Sequence, residues 1–147
     1  MLFRSHPNLA AVKESSGDAR RVTAVRAACP RLAAFAGLDD MVVEAVRVGA
    51  VGWIAGLVNA LPRETAALFR LARAGDTAGA DALYRWFLPL LRLDVVPKFV
   101  QLIKLVQQEV GMGNERVRGP RLMLAGAERD EALQTIRAAL AARPAVS

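Results

Sequence analysis

Leu9-Ala10-Ala11-Val12 runs without a break into Lys13, and the polar, glycine-containing segment Glu14-Ser15-Ser16-Gly17-Asp18 follows at once. A short apolar run bounded by turn residues reads as a strand buried on both faces, as in a parallel sheet. Lys13 then falls at the carboxyl end of that strand, where barrels and open sheets of alternating strands and helices keep their chemistry. Apolar neighbours there would disfavour the ammonium form and leave a neutral amine able to attack a carbonyl. A lysine at a strand end is also commonly a solvated surface residue, so its position alone does not assign it chemistry.

The following residues repeat the rhythm. Asp18 can cap a helix over about 19–28, with Val22, Val25 and Ala28 on one face, and Pro30 stops it. Leu32 to Ala36 is a second short apolar run, ending in the loop Gly37-Leu38-Asp39. Asp39 or Asp40 is expected to cap a helix over 41–48, with Gly49 behind it. Val51 to Ile54 reads as a third strand, leading through Gly56 to Asn59. Strand, helix, strand, helix, strand at this spacing is βαβ rhythm and predicts parallel pairing.

After Leu61 the rhythm gives way to helices alone. Pro62 suits a first helical turn, and a helix to Ala74 is expected, followed by one over 77–93 that Pro89 should kink. The second of these turns Leu83, Phe87, Leu90 and Leu91 inward. A third helix, opened by Val96-Pro97 and running to Val110, carries the stripe Phe99, Ile103, Val106 and Val110. A Gly- and Arg-rich loop over 111–126 precedes a last helix over 127–142, with Arg143 at its negative end and Pro144 beyond. No internal repeat or low-complexity segment is evident.

Composition narrows the function classes. A net charge of +6 invites a nucleic-acid partner. However, the 17 Arg and 3 Lys are spread along the chain among 14 acidic residues, the pattern of solvated helix faces. One cysteine, Cys29, leaves no internal disulfide and fits a reducing cytoplasm. One histidine, His6, leaves no metal cluster and no Ser-His-Asp triad. The longest uncharged run, Val48 to Pro62, has 15 residues, short of the ~20 of a membrane helix. The first residues carry no apolar core of signal-peptide length. No nucleic-acid, membrane or metal partner is expected.

The stretch AAVKESSGD resembles the Schiff-base lysine segment of the dihydrodipicolinate synthase and N-acetylneuraminate lyase family. Gly37-Leu38-Asp39, Gly49-Ala50-Val51-Gly52-Trp53-Ile54 and Asn59 follow at matching intervals, and the resemblance continues from Pro7 through the C-terminal helices. It implies an α/β fold: the C-terminal part of a (β/α)8 barrel, with about three parallel strands, plus a helical extension. A whole barrel typically needs ~250 residues, and this chain has 147. The lysine lies on the family's sixth strand, so the first five strands are expected to lie outside this chain. Residues 7–61 would be the last three βα units, and 62–147 the last barrel helix and the extension. Residues 1–6 stand outside the resemblance. Leu2-Phe3-Arg4-Ser5 is also what the tail of a common sequencing adapter encodes, which points to an assembly break.

The family resemblance implies that Lys13 forms an imine with pyruvate or a related 2-oxo acid and needs no cofactor. It also implies that the backbone at Ile54 lines the substrate pocket, that Gly37 and Gly52 allow close approach, and that the full-length parent is a cytoplasmic homo-oligomer. Asp39 is more simply a helix cap than a catalytic group, and Trp53 a packing residue. The family's proton relay sits in a Tyr-Asn-x-Pro segment and its carboxylate grip in a Thr-Thr or Ser-Thr loop. Neither occurs here, and Tyr84, the sole tyrosine, lies in a C-terminal helix. The runs Val96 to Lys104 and Glu115 to Arg121 are more similar to the catabolic branches, including pyrroline-4-hydroxy-2-carboxylate deaminases. A non-catalytic remnant that only associates with other chains is the alternative from a different class.

Overall fold

The computed structural model describes residues 6–146; the expectations for Met1 to Ser5 lie outside the described residues. Three short strands, β1 (Ala11–Glu14), β2 (Ala33–Ala36) and β3 (Gly52–Trp53), form one parallel sheet in the order β1-β2-β3. Lys13 pairs with Phe35, and Phe35 with Gly52, so these three form one row on one face of the sheet. The bonds Val51 N–H to Ala34 O (2.8 Å) and Ile54 N–H to Ala36 O (3.0 Å) extend the pairing over the whole expected third strand.

The first strand differs from expectation in two ways. It starts two residues later than Leu9: Ala10 O still accepts from the Ala33 N–H at 2.9 Å, but the carbonyls before it are taken by a side chain rather than by the neighbouring strand. The Arg31 guanidinium donates to Leu9 O at 2.7 Å and to His6 O at 2.5 Å. It is also not buried on both faces: Ala11 and Lys13 are exposed while Val12 and Glu14 are half-buried. Among the described residues β1 is an edge strand, and none of them pairs with its outer side. On β2, by contrast, Ala34 and Ala36 are buried against the helices while Ala33 and Phe35 are half-buried on the far face.

Two helices complete the βαβ units, α1 (Arg20–Ala28) and α2 (Val42–Arg47). Asp18 serves the start of α1 as expected, its carboxylate accepting from the Arg20 backbone N–H at 3.0 Å. A 3-10 turn over Asp39–Met41 leads into α2, and neither Asp39 nor Asp40 caps that helix with its side chain. Gly49 follows at φ +104°, a left-handed position that an L side chain resists.

The helical half comprises α3 (Pro62–Ala74), α4 (Thr77–Leu91), α5 (Phe99–Glu109) and α6 (Gly126–Ala141). Proline opens α3, and Gly75 at φ +75° closes it. The Asp76 side chain caps α4 through the Gly79 N–H at 2.9 Å. This helix stops at Leu91, short of the expected Leu93, and tightens into a 3-10 turn over Arg92–Asp94. Leu83, Phe87, Leu90 and Leu91 turn inward as anticipated, with Phe87 fully buried. Truncating such a phenylalanine costs ~3–5 kcal/mol. Trp86 stacks on Phe87 at 5.1 Å and donates to Ala139 O at 2.9 Å, tying α4 to α6. Helix α5 begins at Phe99 rather than at Val96-Pro97 and buries Leu102, Ile103, Leu105 and Val106. Phe99 leaves the expected stripe and stays 42% exposed.

Candidate active site

The carboxyl ends of the three strands open onto a cleft of about 250 Å³. Lys13 and Ser15 come to it from β1 and its turn, Gly37 and Leu38 from the loop after β2, and Ile54 to Gly56 from the loop after β3. The C-terminal half closes the far side with Asp94 and Phe99. Lys13, Gly37 and Ile54, singled out separately along the sequence, thus share one cavity. Lys13 itself is exposed, so the apolar enclosure expected around it is not supplied by the described residues. That follows from the edge position of β1.

Close packing shapes the floor. A side-chain carbon on Gly37 would overlap Ser15 Oγ and lie 2.5 Å from the Glu14 carbonyl oxygen, so the turn after β1 passes directly over the loop after β2. A carbon on Gly52 would overlap the Phe35 ring. Gly56 is pressed in the same way by the Asp94 carboxylate and by Ile103. Ile54 is 49% exposed, and its N–H is engaged by Ala36 O.

Asp39 serves the loop after β3 rather than the expected helix α2. Fully buried, it sits at the loop after β2 and gathers donors from the segment after β3. Trp53 Nε1–H donates to it at 2.9 Å, the Gly56 N–H at 3.1 Å and the Leu57 N–H at 2.8 Å. Trp53, expected only to pack, is one of these donors. Asp39 therefore caps the 3-10 turn Leu57–Asn59 rather than α2, and fixes the loop that carries Ile54 to Gly56. Burial raises its carboxyl above the ordinary range, against the pull of the Leu57 and Gly56 backbone bonds, the Trp53 bond and the Lys13 charge.

Sequence reasoning missed Asp94. The 3-10 turn after α4 delivers its half-buried carboxyl into the cleft opposite Lys13. Burial and the neighbouring Asp39 charge push its pKa up to about 7, while Lys13 and the Asp39 backbone N–H oppose the rise. One signal was available: between Ala82 and Gln108 it is the sole acidic residue. Tyr84 lies elsewhere, donating its hydroxyl to Asp40 O and lying 3.3 Å from Glu44 Oε2. Burial and the Glu44 charge raise its pKa. Among the described residues no group of three His, Cys, Asp or Glu could hold a metal ion, and no helix is long and apolar enough to cross a membrane.

Comparison with known proteins places the fold. The 4-hydroxy-tetrahydrodipicolinate synthase of Sorangium cellulosum is 34% identical over 140 residues, covering 95% of this chain and 46% of that protein. Its counterpart from Acidobacterium capsulatum is 31% identical over 129 residues, covering 87% and 43%. The solved 4-hydroxy-tetrahydrodipicolinate synthase of Methylacidiphilum fumariolicum superposes with a TM-score of 0.78 at 27% identity, over 92% of this chain and 46% of that one. The dihydrodipicolinate synthase of Thermotoga maritima, at 17% identity and a TM-score of 0.82, shares the fold. The chain spans less than half the length of these relatives, and its three strands and helices are the C-terminal part of a TIM barrel. A model of the dihydrodipicolinate synthetase family matches residues 2–139, and the chain belongs to that family.

Proposed function

We propose that this chain carries the nucleophile-bearing half of a Schiff-base lyase that acts on pyruvate or a related 2-oxo acid. The observation that carries the reading is the shared cleft of Lys13, Gly37 and Ile54 at the carboxyl ends of the strands. The neutral Lys13 amine attacks the ketone carbon, and the carbinolamine takes up a proton on its hydroxyl and loses water to leave a protonated imine. That iminium accepts the electron pair released when a neighbouring carbon loses a proton or a carbon–carbon bond breaks. Gly37 lets the strand-end backbones approach one another, and the Ile54 loop, braced by Asp39, lines the pocket. No cofactor enters the scheme. The likeness to 4-hydroxy-tetrahydrodipicolinate synthases favours synthase chemistry, whereas the run Val96 to Lys104 favours a catabolic dehydration or deamination. The whole enzyme is read as a homo-oligomer.

Borohydride trapping tests this. Pyruvate and borohydride should fix a reduced adduct on Lys13, and Lys13→Ala should abolish it. Lys98, paired with Glu128 at 2.5 Å, and Lys104 lie on or beside α5 outside the cleft and should stay unlabelled. No adduct on Lys13 would leave the associating remnant as the better reading. Steady-state turnover by this chain alone should be undetectable, since general acid–base groups contribute ~10²–10⁴-fold and the family's tyrosine relay is not in this sequence.

A further inference from the structure

Asp94 reaches the Lys13 cleft from the helical extension, not from any strand. It is the one carboxyl side chain among the residues lining that cleft. Three contacts fix its place: the carboxylate against Gly56, the packing of its turn on the turn before α2, and the packing of α5 behind it. The ionisable groups that act on it are Lys13 from β1 and Asp39 and Asp40 from the turn before α2. From α5, Phe99 lines the same cleft and Ile103 packs against the same glycine, and neither ionises. Arg92 shares its turn but acts on Tyr84.

Resting on the Schiff-base reading of Lys13, we infer that Asp94 is an acid–base residue of this site, working on the lysine adduct from the helical side. The protonated carboxyl gives its proton to the hydroxyl of the carbinolamine. That hydroxyl leaves as water while the lysine nitrogen pair forms the C=N bond, so the products are the iminium, water and the Asp94 carboxylate. The carboxylate can then take a proton from the carbon next to the iminium, which yields the neutral enamine and restores the carboxyl. A group that must both give and take a proton works best with a pKa near the operating pH. Asp94, with its pKa pushed up to about 7, meets that condition. The same carboxylate would balance the positive iminium while it exists.

The experiment follows the time course of Lys13 labelling by pyruvate, quenched with borohydride and read by mass spectrometry, from pH 5.5 to 8.5. Asp94→Asn keeps the shape and removes the proton. The expected result is a break in the wild-type rate profile near neutrality that Asp94→Asn lacks, with labelling slower by about 10²-fold below the break. A merely structural role would lower the rate without removing the break. Labelling of the wild type with an unchanged rate and pH profile in Asp94→Asn overturns the inference and leaves Lys13 in place. No labelling of the wild type overturns both. Should Asp94→Asn fail to fold, the carboxyl carbon resonance of Asp94 in the unaltered chain decides. Its midpoint should lie near neutrality and fall when pyruvate is added, and a midpoint indifferent to pyruvate overturns the inference.

Discussion

Replacing Asp39 by alanine is the sharpest test of how the cleft is held together. The carboxylate accepts from Trp53 Nε1, the Gly56 N–H and the Leu57 N–H at 2.8–3.1 Å, and the residue is fully buried. Alanine leaves three donors without an acceptor, in a place where water cannot reach all of them. Each such donor costs about 1–3 kcal/mol, so even the lower end sums to about 3 kcal/mol. Against a domain stability of ~5–15 kcal/mol, and less for a partial barrel, that is a large share. Removing the raised, desolvated charge returns part of it, which argues for the lower end. Urea denaturation followed by far-ultraviolet circular dichroism and by fluorescence should show a clear drop in midpoint. Trp53 fluorescence should also shift red even before unfolding, because the indole loses its partner. Asp39→Asn keeps one carbonyl acceptor but turns an amide towards a backbone N–H, and should fall between the two. An alanine variant with the wild-type midpoint would show that the Asp39 bonds do not brace the loop after β3.

Other outcomes follow from the same contacts. Arg143→Ala should destabilise by about 1–3 kcal/mol in thermal melts, because Glu64 is 2% exposed, pairs with Arg143 at 2.6 Å, and has its second oxygen without a hydrogen-bond partner. Gly37→Ala should cost about 1–3 kcal/mol by forcing the Glu14 backbone aside, and should slow Lys13 labelling. Folding should favour acid at Asp94: its carboxyl moves from 3.8 to about 7, so its contribution falls as pH rises through that window, and Asp94→Asn should flatten the stability profile there. Open strand edges with Val51 and Ile54 46% and 49% exposed should make the purified chain associate; a monodisperse monomer by light scattering would contradict this.

The parallel order of the strands, the change from βα units to helices at Pro62 and the inward face of α4 could all be read from periodicity and turn residues. These features are local, and each has its own pattern along the chain. Strand limits were misjudged where a distant side chain intervened, as Arg31 does at Leu9. The cleft was only half visible. Lys13 announces itself by standing at the end of an apolar run, and Gly37 and Ile54 by resemblance. The hydrogen bonds of Asp39 cannot be read from sequence, since an acid after a strand looks the same whether it caps the next helix or the next loop but one. Asp94 was hidden for a related reason: only the folding of α4 and α5 back over the sheet shows which way its turn faces.

That return of the helical half to the strand ends separates two kinds of inheritance in one pocket. The nucleophile and its glycines belong to the strands, where any change disturbs the sheet that every other unit shares. The opposing wall, Asp94 on the turn after α4 and Phe99 at the start of α5, meets the sheet region at Gly56 and the Asp39 loop. A lineage can therefore alter the charge and shape of that wall by changing one turn, with the reactive lysine left untouched. Diversification of substrates within such enzymes should then be recorded in the short connection after α4 rather than in the strands.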